Sequence, residues 1–345
     1  MKKSLLALAV LGAFAGVASA QSSVTLSGRV DLNARSIKNG SAGTLRSMGQ
    51  DGIGSSQLVF SGVEDLGGGL LAGFVLNSGI NPDTGTANAK FWSRRSTVSL
   101  MGGFGEVRLG RDYTPTFWNQ TLFDPFGTNG IGTYTGVFGA ANLGSISQTL
   151  VRADNAIGYF LPSSLGAVSG HLMVSPNEGG AGATGNKYTG ARLGFNAGPI
   201  AAGISLGQTT VSATTKLKLF NIAGSYDFGL AKVDVIISRS KLDPLKQTAY
   251  QLGVSAPMGQ GELRAAYNKV NNTGGAVGSG FGDADDNTHL ALGYVYNLSK
   301  RTALYGTVAS LSNKGASKQT LNASPAGILV GERSTGYEFG IRHNF

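Results

Sequence analysis

The sequence predicts an all-β fold: a transmembrane antiparallel barrel of about sixteen strands. Three observations carry this. Apolar and polar residues alternate strictly at both ends of the chain, the connections fall into a short and a long class, and no stretch is apolar for long enough to cross a bilayer as a helix. Mean hydropathy is close to zero. That value suits barrel strands, in which lipid-facing and lumen-facing residues cancel on average.

The first twenty residues have the layout of an export leader. Lys2 and Lys3 make a basic start, Leu5 to Val17 an apolar stretch, and Ala18-Ser19-Ala20 a small-residue cleavage site. We therefore divide the chain into a leader, 1–20, and one barrel, 21–345, placed in the outer membrane of a Gram-negative bacterium. Glycine accounts for 54 of 345 residues, proline for 9 and cysteine for none, which excludes a Pro-rich linker and a disulfide scaffold. The formal charge is +9, and removing Lys2 and Lys3 leaves 9 − 2 = +7 on the mature chain. Such a surplus serves either solubility and contact with lipopolysaccharide, or an electropositive lumen that draws anions.

At the mature start Val24, Leu26, Val30 and Leu32 interleave with Thr25, Ser27, Arg29, Asp31 and Asn33. At the end Tyr337, Phe339, Ile341, His343 and Phe345 interleave with Glu338, Gly340, Arg342 and Asn344. Both termini are therefore strands that can seal a ring. Further strands are expected near 57–65, 69–80, 91–101, 105–111, 155–161, 167–174 and 188–196. The series continues near 200–209, 216–228, 231–240, 249–257, 261–270, 288–297 and 302–310.

Short turns run from Asp65 to Gly69, Met101 to Gly105, Asn196 to Ile200 and Pro257 to Gly261. Long polar loops run from Ser36 to Ser56, Asp112 to Asp154, Asn271 to Asn287 and Leu311 to Gly336. This asymmetry separates periplasmic turns from extracellular loops. Hydrocarbon offers no partner to strand-edge N–H and C=O groups, so the sheet must close. A charged inward face then requires water inside the ring, and about sixteen strands leave room for it. Phe228, Tyr294, Tyr296 and Phe345 at strand ends fit an interfacial girdle, or else plain barrel packing.

The segments SSVTLSGRVD, FSGVEDLGGGLLAGF, STVSLMGGFGEVRLGRDYTP, RADNAIGYF and the closing YEFGIRHNF resemble those of general diffusion porins of β-proteobacteria, of the anion-selective type. The resemblance spans essentially all of the mature chain. It implies a homotrimer of sixteen-stranded barrels that passes small anions and hydrophilic solutes, with a third loop, here Asp112 to Asp154, folded into the pore. It implies a basic wall cluster of Arg29, Arg94 or Arg95, and Arg152, opposed by Asp124 on that loop. Parity favours Arg95, because Val98 and Leu100 read as lipid-facing and Arg95 lies on the other face, unless a bulge flips the register. Gln57 stands where these porins commonly carry an arginine, and Asn77 where anion-selective ones often carry a glutamate. The terminal aromatic strand resembles the signal read by outer-membrane assembly machinery.

Other chemistries are weakly supported. Gly203-Ile204-Ser205-Leu206-Gly207 matches the nucleophile-elbow pattern, but that motif needs a strand turning into a helix, and this stretch continues an alternating strand. His171, His289 and His343 have no metal-ligand spacing. Asp283 to Asn287 lacks the glycine and closing glutamate of a calcium loop, leaving an acidic loop tip or weak divalent binding near lipopolysaccharide. No catalytic residue, no cofactor, no metal and no nucleic-acid partner is expected. A substrate-specific porin, a barrel enzyme and a plugged adhesin barrel remain as rivals, separated by saturation, by a nucleophile beside a base, and by conductance.

Overall fold

The computed structural model describes residues 23–133, 143, 149–176, 187–321 and 327–345. The expected leader, 1–20, lies outside them. In chain order the strands are β1 (Ser23–Asn39), β2 (Thr44–Gly49), β3 (Gln57–Gly67), β4 (Leu70–Asn81), β5 (Thr86–Ala87) and β6 (Arg95–Gly102). There follow β7 (Gly105–Tyr113), β8 (Arg152–Phe160), β9 (Val168–Ser175), β10 (Lys187–Ala197), β11 (Ile200–Thr210) and β12 (Lys216–Asp227). The last six are β13 (Lys232–Leu242), β14 (Leu245–Met258), β15 (Gly261–Thr273), β16 (Asn287–Asn297), β17 (Thr302–Asn313) and β18 (Arg333–Asn344). One helix, α1 (Pro115–Phe123), lies in the connection between β7 and β8.

All strand pairs are antiparallel neighbours, and β1 closes the ring by pairing with β18 on one side and with β3 and β2 on the other. The eighteen described strands reduce to sixteen barrel staves. The lower half of β1 pairs with β3 and its upper half with β2, so β2 and β3 form one stave interrupted at Gln50 to Ser56, while the two-residue β5 pairs only with β4. Closure at the carboxyl terminus extends to the last residue. Gly28 and Phe345 exchange two backbone hydrogen bonds, both 3.1 Å. The Phe345 ring fills the space that a Cβ on Gly28 would need.

Burial alternates along the staves as the sequence pattern requires. Val98, Leu100, Leu193, Leu206, Val308 and Phe339 are exposed on the outer face, where hydrocarbon replaces water as the solvent. Inward neighbours such as Thr97, Arg192 and Ser205 are buried. Ser205 sits within β11 and donates to Asn221 Oδ1 at 2.7 Å, so no strand-to-helix elbow exists there.

Two expectations need correction. The predicted strand near 91–101 begins only at Arg95, because 90–93 turn away from the sheet. The expected loop Ser36 to Ser56 is mostly a hairpin, with β1 reaching Asn39 and β2 returning after a short 3-10 turn at Gly40–Ala42. Its remainder folds inward onto Asp31, whose carboxylate accepts the backbone N–H groups of Gly52 and Ile53, each at 3.1 Å. Polar outward residues at the rim hid this pairing from a hydrophobic alternation test.

Candidate functional site

The described part of the connection between β7 and β8 contacts the inner wall through its helix and through residues 123–131. Thr114 caps α1 by accepting from Phe117 N, and Pro115 takes the first helical position, where a missing N–H costs nothing. Asn119 on the helix donates to Gly203 O (3.2 Å) and to Asn221 Oδ1 (2.6 Å), and accepts from Arg192 Nε (3.0 Å). At the end of the helix and beyond it, Phe123, Phe126 and Ile131 pack against Ala223, Ala249, Ala266 and Ala291 of the wall. That wall is built from small residues to admit the loop. A Cβ on Gly253 would lie 2.8 Å from Pro125.

A second anchor is Ile131. Its N–H donates to Glu338 Oε1 (3.1 Å), its carbonyl meets His289 Nε2 (3.1 Å), and Glu338 also accepts from Arg35 Nε (2.9 Å). Glu338 is completely buried. Replacing it by leucine should leave the Arg35 charge buried with only Asp51 to answer it, a loss of about 3–5 kcal/mol. The expected result is a lower heat-modification temperature on gels together with noisier open-channel current. An unchanged temperature and quiet current would show that this segment is held by packing alone.

Pinned this way, the loop leaves a cavity of about 590 Å³ against the wall formed by β1, β3, β4 and β6 to β8. Arg29, Arg94, Arg95 and Arg152 line it, with Gln57 and Asn77 beside them. Six of the seven residues singled out from the sequence therefore converge on one space. The Tyr113 hydroxyl accepts from both Arg94 Nη2 and Arg152 Nη2, each at 2.9 Å, and the Arg152 guanidinium lies 4.4 Å over its ring. Arg29 Nε donates to Asn344 Oδ1 at 2.9 Å. Asn77 donates to Gln57 Oε1 at 3.2 Å, so the two neutral departures from the resembled pattern touch each other.

The choice between Arg94 and Arg95 dissolves, since both line the cavity. Parity identified Arg95 because it begins β6, but it does not constrain Arg94, which precedes the strand. The two differ in charge environment. Arg95 Nε is paired with Asp112 at 2.8 Å, and Arg108 Nη1 shares that carboxylate at 2.5 Å. Arg29, Arg94 and Arg152 have no carboxylate at ion-pairing distance among the described residues.

Asp124 is not in this cavity. Its carboxylate accepts from Thr128 N (2.8 Å), Phe126 N (3.2 Å) and Gln251 Nε2 (3.0 Å), which ties the loop to the opposite wall. The face that the loop turns to the arginines is instead neutral, with Thr121, Thr128 and Asn129. Asp124, expected to oppose the basic cluster, does not line this cavity, and the turn after α1 uses its carboxylate as an acceptor for its own N–H groups. Sequence reasoning also missed Tyr113 and Asp112. Both lie in the quoted segment ending RDYTP, whose recurrence was the only available signal.

The acidic run is engaged as well. Asp285 accepts from Ala316 N (2.7 Å) and Gly282 N (2.8 Å), and Asp286 from Asn272 N (3.1 Å). No cluster of three metal-binding side chains occurs among the described residues.

The family model of Gram-negative porins matches residues 7–316. This chain belongs to the Gram-negative porin family. It is an outer-membrane, multi-pass β-barrel. The porin is 40% identical to outer membrane porin protein 32 of Delftia acidovorans over 361 aligned residues, which cover 100% of both chains. It is 25% identical to the major outer membrane protein P.IB of Neisseria lactamica, over 95% of this chain and 99% of that one. Among solved structures, it superposes on an anion-selective porin from Comamonas acidovorans with a TM-score of 0.84 and 38% identity, over 94% of this chain and 100% of that chain. Family members are channels rather than enzymes.

Proposed function

We propose that this porin passes small hydrophilic solutes by diffusion, catalyses no reaction, and favours anions at the cavity lined by Arg29, Arg94, Arg95 and Arg152. The observation that carries the reading is the charge balance there: three of the four guanidinium groups lack a carboxylate partner among the described residues. A Debye length of about 8 Å at physiological salt means that an ion confined beside these groups stays within their reach. Guanidinium groups remain protonated at any accessible pH, so the preference is a fixed property of the wall. Gln57 and Asn77 contribute no charge and leave the field to the arginines. The anion-selective porin from Comamonas acidovorans, similar over nearly the whole chain, supports the same sign.

Planar-bilayer recording of purified protein tests the channel reading. Stepwise, ohmic conductance increments are expected, and a protein that folds and inserts without conductance would identify a plugged barrel. We also carry over from the family a homotrimer in contact with outer-membrane lipid and lipopolysaccharide, tested by the mass of the detergent-solubilised particle. For the leader we propose cleavage after Ala20, so that the amino-terminal sequence of protein from outer membranes begins at Gln21. Retention of Lys2 and Lys3 would refute that processing.

A further inference from the structure

A second cavity, of about 510 Å³, lies on the other side of α1, toward the short turns, between the helix and the inner faces of β8 to β13. Trp118 borders both cavities, so a solute leaving the first meets the second. Two features of its lining are unusual for a water-filled lumen. Trp118 and Leu122 line it and are 36% and 46% exposed in all, although large exposed apolar groups on the staves lie on the lipid face. Beside them Arg192 is buried, 9% exposed, and its guanidinium has only neutral partners, Asn119 Oδ1 at 3.0 Å and Ser169 Oγ at 3.4 Å.

The contrast with other buried arginines is direct. Arg35, which is buried like Arg192, is answered by Glu338 and Asp51, and the half-buried Arg108 by Glu106 and Asp112. Of the other charges lining the second cavity, Lys232 is paired with Asp234 at 3.1 Å, and Asp227 accepts from Gly229 N at 2.8 Å. No carboxylate lies at ion-pairing distance from Arg192 among the described residues. A buried cation without a counter-charge is costly and gains from an anion brought to it. The apolar wall then selects anions that carry a hydrophobic body, and the cavity lies in the size range of small-molecule sites.

We propose that Arg192, with Ser169 and the apolar wall of Trp118, Leu122 and Phe160, forms a second binding station for monocarboxylates bearing an aromatic or branched aliphatic group. The carboxylate sits on the Arg192 guanidinium and the ring or branch lies against Trp118 and Leu122. This rests on the chain being an open aqueous channel, but not on the selectivity assigned to the first cavity.

The test uses the full-length protein in planar bilayers, with sodium benzoate and sodium acetate as probes. Benzoate should reduce the chloride current saturably, and acetate should need at least about tenfold more to match it. Arg192→Gln and Leu122→Asp should each raise the half-blocking benzoate concentration by about tenfold or more, each read against that variant's own benzoate-free potassium chloride current. Leu122 is half-exposed, so its variant reports even where Arg192→Gln fails to assemble. Arg94→Gln/Arg152→Gln should keep the benzoate block while changing the zero-current potential, which separates this station from the first cavity. Equal block by acetate and benzoate would overturn the proposal. So would undiminished block in Leu122→Asp, or block lost in the Arg94/Arg152 variant and retained in Arg192→Gln.

Discussion

Glutamine at both Arg94 and Arg152 is expected to lower the anion-to-cation permeability ratio by about tenfold at low salt, where one charge at about 4 Å in water is worth about 1 kcal/mol. The effect should shrink toward 1 M salt, where the Debye length falls to about 3 Å. These two arginines are chosen because they share a neutral acceptor, the Tyr113 hydroxyl, and no carboxylate among the described residues offsets them. Arg95→Gln should do much less alone. Its charge is already answered by Asp112, and its removal returns part of that carboxylate to Arg108. Tyr113→Phe supplies a further check, since it removes the shared acceptor and leaves both charges in place, so selectivity should hold while conductance shifts with the freed side chains. A double variant with unaltered zero-current potential would place the selective step elsewhere in the lumen.

Deleting Phe345 should reduce the folded, heat-modifiable protein in outer membranes by about tenfold or more, because two barrel-closing hydrogen bonds of about 1 kcal/mol each and a packed aromatic ring go together. Gly28 and Phe345 form the last rung between the first and final staves, and Arg29 leans on the adjacent Asn344. The same residue ends the segment that resembles an assembly signal. Phe345→Tyr should restore most of the yield, as the ring and the backbone pairing both survive. Gly28→Val should mimic the deletion from the other side, since its side chain would occupy the space of the ring. Normal yields in the deletion would show that neither closure at this rung nor the terminal aromatic limits assembly.

The staves were legible because lipid on one side and water on the other force a period of two. Val98 and Leu100 outward with Thr97 inward is that rule written in three residues. The alternation of short turns with long loops was equally visible, as was the grouping of Arg29 and Arg152, which lie in the quoted segments, with Gln57, Asn77 and Arg95, which lie just outside them. What escaped lies where no period operates. Parity left Arg94 undecided because it precedes β6, Asp124 follows α1, and Gln50 to Ser56 leaves the sheet to wrap Asp31. In each case the direction of the side chain or backbone is set by a local hydrogen-bond demand. Asp124 illustrates the point: its charge and loop position resembled a pore acid, but the N–H groups of Phe126 and Thr128 claim the carboxylate. Arg192 was hidden for a different reason, since an inward arginine on β10 gives no sign in sequence of whether a carboxylate sits opposite.

The most direct measurement is the zero-current potential of the purified porin in a planar bilayer separating concentrated from dilute potassium chloride. The charge balance around Arg29, Arg94 and Arg152 requires a potential of the sign set by chloride, larger when both solutions are diluted at a fixed ratio. A potential of the sign set by potassium, or one that vanishes on dilution, would contradict it.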